Sequence, residues 1–467
     1  MTRGLTVHRV QFRVQTPAHG PCAVLHRQDW NDRGHAATYQ LTLVNDAGER
    51  TEIGWTKVLG RNDGPPPVLW SGADPNVRSV GQSLDFYRRM NDHPLGPDAL
   101  LALGDMVSRG DDPHADPQAA VLLRFSAARF AAEHAARVLR GQEVPPSPLR
   151  LRYRAHLSSG GFTNAHDVSW DFDGASPLGR LGVLAGRNGV GKTALLGQLA
   201  FALCGLQEEE GGLTVTPDGG LGRVLALSYS AFDSFSRPIR LPEDVYRYCG
   251  LRGPHASLDR KLARERWPER RAELVARGRL RRWLDAVAFL VPATAEPRLD
   301  PITLQTAGVE LLGRISSGHE IALLMVTELM AGLESRSVVL LDEPEVHLHP
   351  ALLTRFLRTV HALLEEYDAF GIVATHSPMP LQEVPARHVR VLKRSGPTVR
   401  VVTPSRETFG ESLDELLHVI FGISREDPNY VARLEEAVAN DGADAVRATL
   451  QSNRSFAVNL ALDEHAQ

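Results

Sequence analysis

Residues Gly186 to Thr193 read GRNGVGKT, a glycine-punctuated run that closes on a lysine and a threonine. Glycines let successive backbone N–H groups turn inward on a phosphate chain, and a helix starting at the lysine adds partial positive charge. Gly186, Arg187, Asn188, Gly189, Val190 and Gly191 are expected to form such a cradle. Lys192 would then reach the β- and γ-phosphates, and the Thr193 hydroxyl would ligate Mg2+. A second group lies in VVLLDEPEVHLHP, Val338 to Pro350, where an apolar run meets two adjacent acids. One acid must stay committed to a metal while the other handles a proton. Asp342 suits the Mg2+ role, and Glu343, expected to face away from Asp342 on an extended chain, suits the attacking water. His376 closes GIVATHS, where an imidazole can hydrogen-bond a γ-phosphate and sense its loss. His347 and His349 form an H-x-H pair, but no third ligand stands at zinc spacing, so they are expected in a loop against a partner subunit.

These residues need particular elements to position them. LGRLGVLAG reads as a strand running into the cradle, and KTALLGQLAFALCG as the helix that follows it. LGRVLALSYS, SVVLLDE and GIVATHS read as further strands, with PALLTRFLRTVHALLEEY a helix between the last two. Strands alternating with helices imply a parallel sheet, and ligands bind such sheets beyond the carboxyl ends of the strands. Both acids and the histidine would be delivered to that edge. Ser317 and Glu320 make a capping-box spacing, so a helix should begin there. Residues 241–287 read as mostly helical and basic.

Upstream, YQLTLV and TEIGWTKVL alternate as strands do, and GRNDGPPPVLWSGADPN reads as a turn-rich surface loop. PDALLALGDMVS and DPQAAVLLRFSAARFAAEHAARVLRG have helical periodicity, the second with an Asp-Pro start. EVPPSPLR looks like a linker. The expected organisation is an N-terminal α+β accessory domain over 1–149, an α/β head over 150–404 and a helical extension over 405–467.

The 467 residues carry 52 basic and 56 acidic side chains, a net charge of −4, so any polyanion site must be a local patch. Three separated cysteines indicate neither a disulfide framework nor a zinc knuckle. No apolar run approaches a membrane span and the start lacks a signal-peptide pattern, so a soluble, cytoplasmic protein with no membrane contact is expected.

Taken together the motifs resemble the ATP-binding-cassette (ABC) ATPase superfamily, over roughly residues 150 to 400. ISSGHE, Ile315 to Glu320, resembles its signature motif, in the family's order and at comparable spacing to the cradle, the acid pair and the histidine. The resemblance implies an ABC-type P-loop ATPase head with ATP and Mg2+ as cofactors. It also implies a homodimer in which Ser316, Ser317 and Gly318 contact the γ-phosphate held by the opposite copy, with higher assembly left open. The usual Q-loop glutamine is missing from LALSYSAFDSF; Ser230 or Asp233 would replace it, with slow hydrolysis as the consequence. DEPEVHLHP followed by ATHSP is similar to the AAA-type ATPases of OLD, RecF and bacterial defence systems, and in size and texture to the ATPase subunit of the Septu anti-phage system and retron-associated relatives. No Toprim-like acid cluster follows His376, so cleavage would fall to a separate nuclease, HNH-type in Septu-like systems.

From Leu251 to Asp285 the chain holds eleven Lys/Arg against five Asp/Glu, with Trp267 and Trp283 among them. The stretch Arg252–Arg282 could grip a nucleic-acid backbone, bind a protein partner, or be a solvated helical face with internal ion pairs. Three functions follow. One is a defence-type switch in which ATP holds a dimer that regulates or positions a nuclease; the others are a RecF-like DNA-repair ATPase and a transporter cassette. The missing glutamine and the long N-terminal region disfavour the third.

Overall fold

Alternating and wholly apolar runs build three sheets in the computed structural model, which describes residues 5–11, 20–28, 37–156, 165–206, 212–216, 221–229, 235–238, 241–251, 260–291, 309–395, 398–422, 429–450 and 458. The first sheet holds β1 (Thr6–Gln11), β2 (Cys22–Arg27), β3 (Thr38–Val44), β4 (Arg50–Leu59), β5 (Leu69–Ser71) and β6 (Arg78–Gly81) in the order β5-β1-β2-β3-β4-β6. Only β1 and β2 pair in parallel. Helices α1 (Leu84–Asp92), α2 (Gly96–Ala102), α3 (Met106–Arg109) and α4 (Ser126–Leu139) follow, and Tyr39, Leu41, Trp70, Phe86, Tyr87 and Phe130 share one core with this sheet.

Two expectations for this region differ from the structure. The turn-rich stretch contains β5, which edges the sheet because Trp70 is buried and its indole N–H donates to the Ala102 carbonyl at 2.9 Å. The Asp-Pro start yields only a short 3-10 turn, Pro117–Val121; the long helix begins at Ser126.

Two further sheets carry the remaining strands of unit Met1–Phe409. These are β7 (Leu149–His156), β8 (Ala165–Phe172), β9 (Leu181–Gly186), helix α5 (Lys192–Leu203), β10 (Gly212–Thr216), β11 (Val224–Ser228), β12 (Tyr246–Gly250), helices α6 (Arg260–Ala276), α7 (Leu280–Leu290) and α8 (Ser317–Gly332), β13 (Val338–Asp342), helix α9 (Pro350–Glu366), β14 (Phe370–Thr375), β15 (Val389–Ser395) and β16 (Thr398–Val402). A three-stranded antiparallel sheet runs β10-β7-β8, and a seven-stranded sheet runs β12-β11-β13-β14-β9-β15-β16. All neighbours in the larger sheet are parallel except the terminal β15–β16 pair. Its four central strands are buried along their whole length, which is why they read as continuous apolar runs rather than alternating ones. The fold is α/β. The expected helical run from 241 instead opens with β12, whose YRYCG suits an edge strand beside β11. A separate unit, Gly410–Gln467, holds helices Leu413–Phe421, Asn429–Asp441 and Ala443–Thr449.

The basic stretch also differs from a free arm. Helices α6 and α7 pack on α8; Trp267 and Trp283 are fully buried, and the Trp283 indole donates to Thr327. Arg270 meets Glu328 at 3.0 Å and Glu243 at 3.2 Å, and Arg247 meets Glu273 and Glu243, each at 2.9 Å. Arg277 bridges Glu52 of β4 and Glu334, both at 3.3 Å, and Glu334 also gathers Arg223 at 3.6 Å and Arg89 at 3.7 Å. Arg264 pairs with Glu320 and Arg282 with Glu366, while Arg279 donates to the Met330 and Leu333 carbonyls. These arginines are therefore committed inside the chain; Arg252 lies outside the described residues.

Burial pushes the Glu334 carboxyl up, but Arg223, Arg89 and Arg277 outweigh it and hold the group well below its ordinary value of 4.5. A depressed native pKa means this stabilisation is complete above about pH 4.5 and is lost as the pH falls below it. Replacing Glu334 with Ala would take a shared carboxylate from three arginines, leaving Arg277 with Glu52 and Arg223 with the Gly332 carbonyl. The expected outcome is destabilisation by about 3–5 kcal/mol, read as a lower urea midpoint at pH 7.

Candidate active site

Strand order determines what meets at the carboxyl edge. β14 lies between β9 and β13, with Asp342 in register with Ala374 and with Ser228 of β11, and Thr375 in register with Ala185. β9 ends at Gly186; exposed Arg187 and Asn188, exposed Gly189 and buried Val190 carry the turn to Gly191. Gly191 caps α5 at φ +99°, a left-handed conformation that favours glycine, so the helix opens on Lys192 and Thr193.

Oxygen and nitrogen atoms converge there. The Thr193 hydroxyl donates to Asp342, with Oγ1 lying 3.0 Å from Oδ1 and 3.2 Å from Oδ2, and the Ser228 hydroxyl lies 3.5 Å from Oδ2. Lys192 is only 3% exposed; its Nζ lies 3.3 Å from Glu343 Oε1 and donates to the Arg187 carbonyl at 3.3 Å. A hydroxyl and a carboxylate in contact are the hard oxygen donors Mg2+ takes, and the lysine beside them suits a phosphate. The residues fit a Mg–nucleotide.

Glu343 departs from the expected alternation. The strand ends at Asp342, and Glu343 adopts φ +46°, ψ +56°, so its carboxylate turns to Lys192 on the same edge instead of facing away. Its main-chain N–H donates to the Ala374 carbonyl at 2.9 Å, which pins the turn to β14.

His376 follows β14, its Nδ1 lying 3.5 Å from Glu343 Oε1. The same nitrogen lies 3.3 Å from Glu345 Oε1, a residue that sequence reasoning passed over. Glu345 also accepts from the Thr375 hydroxyl at 2.5 Å and from the His376 main-chain N–H at 2.9 Å. A third acid two places after Glu343 in DEPE was the available signal, and it reads as solvated until the strands are placed.

The signature-like turn is a separate place in this chain. Ser316, not Ser317, is the N-cap of α8, its hydroxyl accepting from the His319 main chain at 3.4 Å and lying 2.8 Å from His319 Nδ1. Glu320 therefore does not close a capping box and instead binds Arg264. Ser316 and Ser317 are exposed, and an added Cβ on Gly318 would stand 3.0 Å from the His347 carbonyl, so the turn rests against the loop after β13. Among the described residues, no hydrogen bond or ion pair joins 316–318 to the 186–193 loop. Burial, with His349 and Arg355 nearby, lowers the His319 pKa and favours the neutral ring. His347 and His349, expected against a partner, have anchors within the chain: His347 Nε2 lies 2.8 Å from the Tyr229 carbonyl, and His349 caps α9. Ser230 and Asp233 lie outside the described residues.

A protein-family profile described as "AAA domain, putative AbiEii toxin, Type IV TA system" matches residues 296–379. Protein ea59 of Escherichia phage lambda is 28% identical over 481 aligned positions, covering 90% of each chain. Among solved structures, UvrA2 from Deinococcus radiodurans aligns at 15% identity over 59% of this chain and 40% of its own, with a TM-score of 0.31. An SmcHead bound to the C-winged helix domain of ScpA aligns at 14% identity over 55% of this chain and 97% of its own, TM-score 0.32. An ATP-binding cassette of an ABC transporter aligns at 14% identity over 62% of this chain and 98% of its own, TM-score 0.34. Residues 296–379 thus match an AAA-domain profile, a span that takes in Asp342, Glu343 and His376 but not the Gly186–Thr193 loop. No helix among the described residues is long and apolar enough to cross a membrane.

Lys192→Ala removes the buried cation beside Glu343 and the phosphate ligand together. Binding of a fluorescent ATP analogue is expected to fall below detection at micromolar concentrations, and wild-type affinity would contradict the cradle.

Proposed function

We propose that this chain is an ATP-binding and hydrolysing ABC-type head that dimerises around ATP and regulates or positions a partner nuclease in anti-phage defence. The observation that carries the ATPase part is the continuous contact from Thr193 through Asp342 and from Lys192 through Glu343 to His376 at one sheet edge. Thr193 and Asp342 would hold Mg2+, which would neutralise charge on the phosphates. Lys192 orients the β- and γ-phosphates. Glu343 accepts the proton of the attacking water, and His376 faces the γ-phosphate. The exposed Ser316–Gly318 turn at the start of α8 offers free N–H groups to the γ-phosphate of a second copy, so each copy completes the other's pocket. Such a shared ligand biases a two-state assembly, closed with ATP and open after hydrolysis.

The defence reading draws support from the toxin named in the matching profile. A DNA-repair role of the RecF kind would need a surface that grips the duplex. Commitment of Arg264, Arg270, Arg277, Arg279 and Arg282 to internal partners weighs against the described part of α6–α7 as that surface. An HNH-type nuclease is the partner class this reading names, and purification from the native operon with identification of co-eluting proteins tests it.

Glu343→Gln keeps the cradle and removes the base. ATP binding should persist while turnover falls by about 10²–10⁴-fold, and closed dimers should accumulate in ATP, read by light scattering on a sizing column. Unchanged turnover would remove Glu343 from its role.

A further inference from the structure

We propose that Glu345 is the positioning residue for His376, fixing both the loop that carries the imidazole and the ring nitrogen it presents to the nucleotide. The proposal rests on the reading of His376 given above and assigns a new residue to that site. Glu345 sits in the short 3-10 turn Pro344–Val346 with its side chain 8% exposed, whereas the His376 side chain is 36% exposed. One carboxylate oxygen does the holding. Oε1 accepts from the Thr375 hydroxyl at 2.5 Å and from the His376 main-chain N–H at 2.9 Å, so the loops after β13 and β14 are joined through a single buried acid.

The ring follows from the same atom. Nδ1 of His376 lies 3.3 Å from Glu345 Oε1 and 3.5 Å from Glu343 Oε1. Ionised carboxylates only accept, so a nitrogen facing two of them carries its proton, and Nε2 is left for the phosphate side. These ring contacts are ion-pair distances without hydrogen-bond alignment. Contacts of this kind tighten when a substrate closes the site. Glu343 also touches Lys192, so it cannot by itself fix the imidazole; Glu345, held on the far side by Thr375, can.

Glu345→Gln keeps size and an accepting oxygen but removes the charge that selects the Nδ1–H form. The expected result is unchanged affinity for a fluorescent ATP analogue with kcat lowered about tenfold or more. The 15N shifts of the His376 ring, assigned by difference against His376→Gln, should move from the Nδ1–H pattern to a tautomer mixture. In a His376→Ala background, Glu345→Gln should add no further loss of kcat. The proposal is overturned if the ring shifts stay at wild-type values, or if Glu345→Gln costs the same factor with and without the histidine. A His376→Ala enzyme with full turnover would instead sink the underlying role of His376, and the ring shifts would still decide whether Glu345 sets the tautomer.

Discussion

Parallel strands that end level with one another set where chemistry can occur in this chain. β11, β13, β14 and β9 are buried on both faces, and their shared register puts Ser228, Asp342, Ala374 and Thr375 along one edge. A one-residue slip of β13 would turn every side chain to the opposite face and remove Asp342 from Thr193. Inward slippage of Val338–Leu341 would bring the Asp342 carboxylate among the apolar side chains of the neighbouring strands. Packing of apolar residues thereby sets the place of the Thr193–Asp342 contact.

A second constraint holds the two larger sheets together. Glu334 lies four residues before β13 and gathers Arg89 of α1, Arg223 next to β11 and Arg277 beyond α6, while Arg277 reaches Glu52 of β4. Ser335 adds a main-chain N–H to Asp85 at 2.7 Å. Buried ion pairs are weak evidence for stability gained over an apolar core, since desolvation offsets much of their attraction. Their directionality matters more here. They tie the N-terminal sheet to the segment that leads into β13.

What the sequence disclosed and what it withheld follow from the range of the interactions involved. The cradle, the strand before Asp342 and the strand before His376 are local: a glycine pattern, an apolar run and a turn suffice. Edge strands are not. β12 and β5 are strands because of neighbours supplied from elsewhere, and β15 and β16 gave no alternating signal strong enough to mark them. The sequence left the basic stretch open between three readings for the same reason. Its charge excess is real within residues 251–285, and Glu273 and Glu243 offset part of it locally, yet Glu52, Glu320, Glu328, Glu334 and Glu366, which neutralise the rest, stand far away in the chain. A local charge count cannot reveal a partner dozens of residues away. The capping error was smaller in scale: Ser316 and Ser317 offer the same hydroxyl, and only the claim of Arg264 on Glu320 separates them.

Glu343 shows why the turn after β13 must be over-determined. A non-glycine residue in the left-handed region costs on the order of 1–3 kcal/mol and persists only when its surroundings enforce it. Continued strand geometry would have sent its carboxylate to the face opposite Asp342, away from Lys192. Three anchors prevent that. The Glu343 N–H is bound to the Ala374 carbonyl, Glu345 is bound to Thr375 and the His376 main chain, and His347 reaches the Tyr229 carbonyl at the end of β11. Each anchor ties the turn to a neighbouring strand or the loop leaving it, so the strained residue is held from both sides of β13. The strain thus places two carboxylates from adjacent residues on one edge, a geometry that neither regular strand nor regular helix provides. It separates their tasks by contact partner, Thr193 for one and Lys192 for the other.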